Sequence, residues 1–241
     1  IRAVNIYVKV DEALKDNSGK EAWNPNGLMQ QAIRAIKTAC PEMIVMPDVA
    51  LDPYSIYGHD GIIKNGDVAN DTTNEALVKM AVSHAQAGAD FVAPSDMMDG
   101  RIGAIRNILD INRFDDVSIM SYAAKFSSQF YGPFRDACKS IPGGNCNLHN
   151  RKTYQASSLN KNDAVLSTLL DITEGADIVM VKPAVLYLDI IHELSTTIKV
   201  PLAAYHVSGE YQSIELLAQQ NIIERDKAHL EIWTALKRGG A

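Results

Sequence analysis

The stretch ADIVMVKPAVLYLDII, residues 176–191, decides the fold. Its apolar run IVMV is β-branched or large at every position, the pattern of a strand buried on both faces. Pro183 stops the strand, because proline has no N–H to give to a sheet ladder. Lys182 stands at the strand's end. A buried ammonium is costly without a partner, so this lysine snorkels to solvent, pairs with a carboxylate, or does chemistry.

Working outward, the same kind of apolar run recurs at AVNIYV (3–8), MIVMPD (43–48), FVAPSD (91–96), SIMSYA (118–123) and LAAYHV (202–207). Helical patterns fall between them, as in residues 27–39, 74–87 and 163–174. Strands alternating with helices predict right-handed βαβ units and a parallel sheet. QAGADFVAP and TEGADIVMV share a helix end, a Gly-Ala-Asp turn and a strand, with the glycine as helix C-cap. The chain closes on ALKRGGA, the same turn with no strand after it. An open six-stranded sheet would leave two aggregation-prone edges. The expectation is therefore an α/β fold, a (β/α)8 TIM barrel. Residues 1–241 would form one catalytic domain of about six βα units, with the first and last strands missing.

The 241 residues, 46% hydrophobic and 22% charged, suit one large domain. A net charge of −6 without a basic block speaks against nucleic acid, and no apolar run reaches membrane-spanning length. Cys40, Cys138 and Cys146 lack metal-binding or disulfide spacing, which points to a reducing compartment. Residues 140–151 (SIPGGNCNLHNR) read as a mobile excursion.

Barrel enzymes do their chemistry at the C-terminal ends of the strands. Those ends carry Asp48, Ser95, Asp96, Ser121, Lys125, Lys182, Ser208 and Glu210. Two lysines on one rim are the telling feature. A second cation and desolvation lower a lysine's pKa and expose the free amine, as Schiff-base chemistry on a carbonyl requires.

The segments VAPSDMMDGRIGAIR (92–106), SYAAKFSSQFYGPFRDA (121–137), MVKPAVLYLDII (180–191) and YHVSGEY (205–211) closely resemble porphobilinogen synthase, the δ-aminolevulinic acid dehydratase family. That family is a (β/α)8 barrel and a hydro-lyase of tetrapyrrole (heme and chlorophyll) biosynthesis. It joins two molecules of 5-aminolevulinate into porphobilinogen with loss of two waters. The resemblance implies that Lys182 holds the first substrate as a Schiff base and Lys125 the second. Arg135 and Arg151 match the pair that binds the second substrate's carboxylate, a task suited to guanidinium. Ser208 matches a hydroxyl donor to the first substrate's carboxylate. Asp48, Ser95 and Asp96 line the equivalent cavity, with Gln155 and Tyr131 as weaker candidates. A homo-octamer, and a plastid stroma or cytoplasmic location, are further implications.

Zinc-dependent members of that family place three cysteines where Ala50, Asp52 and Asp60 stand here. Thiolates select zinc, so no zinc is expected; carboxylates suit Mg2+ or a monovalent cation. Asp52 and Asp60 are thus either weak metal ligands or an acidic loop with no held ion, with His59 ordering that loop. Carboxylate versions resemble those of plants, algae, apicomplexan parasites and some bacteria. Ser167 replaces a glutamate that binds a regulatory magnesium in many members, which places allosteric activation in doubt. His84, His192 and His229 read as packed or solvated. Two other readings remain open: another Schiff-base barrel enzyme of the class I aldolase kind, and a non-catalytic binding or assembly subunit.

Overall fold

The computed structural model describes residues 1–140, 142–143 and 148–241. Cys146 and part of the excursion expected at 140–151 lie outside the described residues. In chain order, β1 (Ala3–Ile6) leads through short turns to α1 (Leu28–Ala39) and β2 (Ile44–Val49). A small antiparallel pair follows, β3 (Ile63–Lys64) with β4 (Asp67–Val68), then α2 (Asn70–Gln86). Next come β5 (Phe91–Pro94), α3 (Arg101–Ile111), β6 (Ser118–Lys125) and α4 (Gly132–Cys138). The rest is α5 (Lys161–Thr173), β7 (Ile178–Lys182), α6 (Leu188–Thr197), β8 (Leu202–Ala204), α7 (Ser208–Gln219) and α8 (Arg225–Gly239).

Six strands form one parallel sheet in the order β1-β2-β5-β6-β7-β8, as the alternating pattern predicts. The sheet is curled. β1 and β8 are its opposite edges, yet the rings of Tyr7 and Tyr205, each just past its strand, lie 6.5 Å apart between centroids. The helices cover the outer face, where Met29, Ile33, Leu77, Met80, Ile105 and Leu109 pack against outward residues such as Val45, Val92, Ile119 and Val179. The inner face packs Met120, Tyr122 and Met180 against Met46, Phe91, Ala203 and Tyr205.

The Gly-Ala-Asp repeat has a local cause. Gly88 and Gly175 sit at φ of 100° and 110°, the left-handed turn that ends a helix. Each following aspartate accepts an amide from the neighbouring strand, Asp90 from Val45 N at 2.8 Å and Asp177 from Ile119 N at 2.7 Å. The repeat therefore ties each new strand to the one beside it.

β1, β5 and β8 end two or three residues short of the apolar runs that announced them, and two elements are longer than expected. α2 begins at Asn70, four residues before the pattern that announced it. Asn70 Oδ1 accepts from Asp99 N, Thr73 Oγ1 donates to Ala69 O, and Asp71 favours the positive end of the helix. β6 runs on to Lys125 with a shift in register. Ser121 pairs with Val179 but Ala124 with Val181, so β6 carries one extra residue, a β-bulge.

Candidate active site

Inward positions on neighbouring strands form layers. One step above the inner core lie Tyr7, Asp48, Ser95, Lys125 and Lys182. On β7 the step from Met180 to Lys182 keeps the two-residue period. On β6 the inward residue Tyr122 is three residues from Lys125, so strict alternation would turn Lys125 outward. The bulge restores it: Lys125 pairs in register with Lys182 across the ladder. Adjacent strands lie about 4.8 Å apart, so the two lysines leave the sheet side by side.

Both lysines are buried. Lys125 Nζ lies 3.4 Å from Asp60 Oδ2 and donates to the Ser95 carbonyl. Lys182 has no ion-pair partner among the described residues. Its Nζ lies over aromatic rings instead, 4.3 Å from the centroid of Tyr205, 4.8 Å from Tyr122, and 5.6 Å from Tyr131 and Phe134. Burial, with the charge of Lys125 second, pushes the Lys182 ammonium down to about 7 against the pull of three aspartates. Asp48 moves the other way. Burial and the nearby Asp52 raise its carboxyl to about 7, opposed by the two lysines. An amine and a carboxyl that both exchange protons near neutrality therefore share one cavity, with Arg135, Arg151 and Gln155 on its wall.

The two arginines differ. Arg151 is clasped: Nη1 lies 2.8 Å from Asp60 Oδ1 and Nη2 3.2 Å from Asp52 Oδ2, with the Gly58 and Ser140 carbonyls at 2.8 Å. Burial raises the Asp60 carboxyl, but Arg151 and Lys125 outweigh it and hold it below the usual range. Arg135, on α4, has no ion-pair partner among the described residues and lies over the Tyr131 ring at 5.2 Å.

A sequence model of the family described as delta-aminolevulinic acid dehydratase matches residues 1–241. The chain belongs to the delta-aminolevulinic acid dehydratase family. Among its relatives is the chloroplastic delta-aminolevulinic acid dehydratase of Physcomitrium patens, 48% identical over all of this chain and 55% of the relative. That of Oryza sativa subsp. japonica is 51% identical over 98% of this chain and 55% of the relative. The chain thus spans about half the length of the curated relatives it matches. A crystal structure of delta-aminolevulinic acid dehydratase (porphobilinogen synthase) from Toxoplasma gondii ME49, in complex with the reaction product porphobilinogen, superposes with a TM-score of 0.97. It is 44% identical, over all of this chain and 68% of that one.

Against the residues that the dehydratase resemblance implies, the fold brings Lys182, Lys125, Asp48, Ser95, Arg135 and Arg151 around one cavity. Ser208 and Asp96 are engaged elsewhere. Ser208 Oγ accepts from Phe134 N at 3.1 Å, pinning the start of α4 over the cavity. Asp96 accepts from Met98 N at 2.7 Å and faces Arg101 at 3.8 Å; burial raises its carboxyl to about 6. Arg101 in turn pairs with Asp171, while Ser121 Oγ lies between the two. Glu210 accepts from Val185 N and Val207 N, bracing the loop after Lys182. Ser167 lines a separate groove with Asp67, Asp99 and Lys152.

For a metal at positions 50, 52 and 60 the donor set is poor. Ala50 offers no ligand, and the carboxylates of Asp52 and Asp60 face Arg151 and Lys125. Among the described residues no three acidic, histidine or cysteine side chains converge on a point. His59 orders the loop, as expected, bonding Tyr154 OH and the Leu148 carbonyl at 3.0 Å each. His84 is buried inside α2, and His229 pairs with Glu215 at 2.8 Å.

Sequence reasoning named Tyr131 but missed the rest of the aromatic box around Lys182, formed by Tyr7, Tyr122, Phe134 and Tyr205. Its signal was a tyrosine on or just past each of three strands, in NIYV, MSYA and AAYH.

Proposed function

We propose that the protein is a 5-aminolevulinate dehydratase, joining two molecules of 5-aminolevulinate into porphobilinogen with loss of two waters. The observation that carries this reading is the in-register pair Lys125 and Lys182, with Lys182 held near pH 7. A neutral Lys182 amine adds to the ketone of the first substrate; the resulting alcohol leaves as water and a C=N bond forms. Lys125, once it has given up its proton, adds to the ketone of the second substrate in the same way, and that substrate's carboxylate meets Arg135. Arg151 can join only by giving up a carboxylate of its clasp, because Asp52 and Asp60 take both of its Nη atoms. Asp48 suits the proton transfers, since its carboxyl both gives and takes protons near neutrality.

We extend the reading to a zinc-independent enzyme, in which a weakly held Mg2+ or monovalent cation would have to compete with Arg151. A plastid location follows the relatives described as chloroplastic. No described helix is long and apolar enough to cross a membrane. A homo-octamer is consistent with large apolar side chains left exposed on the helices, such as Leu166, Leu230 and Trp233.

The test is incubation of the intact protein with 5-aminolevulinate alone. Pyrrole formation, with borohydride-trapped mass on the Lys182 peptide that disappears in Lys182→Ala, is the expected result. Trapping undiminished in a folded Lys182→Ala variant sinks the assignment. A carbonyl adduct at Lys182 with no pyrrole would favour an aldolase-type reaction.

A further inference from the structure

Asn5, Tyr7 and Tyr122 form a hydrogen-bonded group at the floor of the Lys182 pocket. Asn5 Nδ2 donates to the Tyr122 hydroxyl at 2.7 Å, and the Tyr7 and Tyr122 hydroxyls lie 2.5 Å apart. All three face inward, Asn5 and Tyr7 from β1 or just beyond it and Tyr122 from β6. Tyr122 is fully buried. An amide N–H can only donate, so it occupies one lone pair of the Tyr122 oxygen. The Tyr122 proton then needs an acceptor, and Tyr7 is the one in reach. In the arrangement that satisfies the Tyr122 proton, the bonds run from Asn5 to Tyr122 to Tyr7, and the Tyr7 O–H is left to Tyr205 or to a molecule in the cavity. Tyr7 lines the cavity that holds Lys182, and Lys182 Nζ lies 5.8 Å from its ring centroid.

We propose that Tyr7 is a further catalytic residue, whose O–H donates a hydrogen bond to the substrate oxygen that departs from the carbon bound to Lys182 Nζ. This rests on the dehydratase reading. When the amine has added to the ketone, the nitrogen lone pair forms C=N and the C–O bond breaks. The oxygen leaves as water with a proton from Asp48, while negative charge builds on it and the Tyr7 donor stabilises that charge. Tyr7 keeps its own proton throughout. Burial, helped by Tyr122, Tyr205 and Asp48, holds its phenol well above the ordinary range, so it remains a donor across the working pH.

The experiment uses the intact protein and two probes: 4-oxopentanoate, a keto acid that forms an imine but no pyrrole, and 5-aminolevulinate. Quenched reductive trapping reads the rate at which mass appears on Lys182, and competition reads keto-acid affinity. In Tyr7→Phe, which keeps the ring, trapping is expected to slow about ten- to hundredfold with affinity nearly unchanged. Tyr122→Phe, which leaves Tyr7 its hydroxyl but removes the partner that aims it, should fall between wild type and Tyr7→Phe. An unchanged trapping rate in Tyr7→Phe overturns the proposal. So does a parallel loss of rate and affinity in a folded variant, which would make Tyr7 a packing residue. If wild-type Lys182 takes no label from either probe, the dehydratase reading itself fails.

Discussion

Replacing Lys125 by methionine should make Lys182 a worse nucleophile at neutral pH although Lys182 is untouched. A Lys182 ammonium pushed from 10.5 to about 7 reflects about 5 kcal/mol against its charged form. Burial is the larger cause and the charge of Lys125 the second. Two ammonium groups about 6 Å apart, at an effective dielectric near 20, repel by about 3 kcal/mol, or about two pH units. Methionine keeps the volume of Lys125 and removes the charge, so the amine of Lys182 should titrate about two pH units higher. At pH 7 its neutral fraction would fall from about one half to about one per cent, roughly fiftyfold. The assay is the rate of reductive trapping of 5-aminolevulinate on the Lys182 peptide from pH 5.5 to 10. Wild type should inflect near 7, Lys125→Arg close to it, and Lys125→Met well above. An inflection in Lys125→Met within about half a pH unit of wild type would refute the reasoning, because burial alone would then set the amine.

Other expectations follow from the same geometry. Arg151→Met leaves Asp52 and Asp60 buried without their shared cation, and should cost about 3–5 kcal/mol in urea unfolding; a loss under about 1 kcal/mol would show that the clasp is solvated. Metal analysis of the intact, active protein should find little zinc, and a chelator should leave turnover standing, because positions 50, 52 and 60 offer no thiolate; stoichiometric zinc lost together with activity would contradict this. Gly209→Ala would set a Cβ 2.8 Å from the Phe130 Cα, so the start of α7 must move away from the turn at Gln129–Tyr131 that precedes α4. A loss of about 1–3 kcal/mol is expected, and thermal melting that matches wild type would show that this contact yields freely.

The sequence by itself determined the alternation of strands and helices, their parallel order, and the residues at the strand ends. These depend on local periods and on turn chemistry within a few residues, as at Gly88-Ala89-Asp90 and Gly175-Ala176-Asp177. The family motifs likewise mark Lys182, Lys125, Arg135 and Arg151. Whether those side chains meet was a different matter. Lys125 turns inward only because β6 has one more residue than its partner between Ser121 and Ala124, and a bulge has no period to read. The clasp of Arg151 joins residues 91 and 99 positions away, and the Asn5–Tyr122 bond spans 117. Such contacts exist only once the sheet has curled. The depressed Lys182 amine belongs to the same class, since burial by rings from several strands, more than any sequence neighbour, removes the water that would keep it charged.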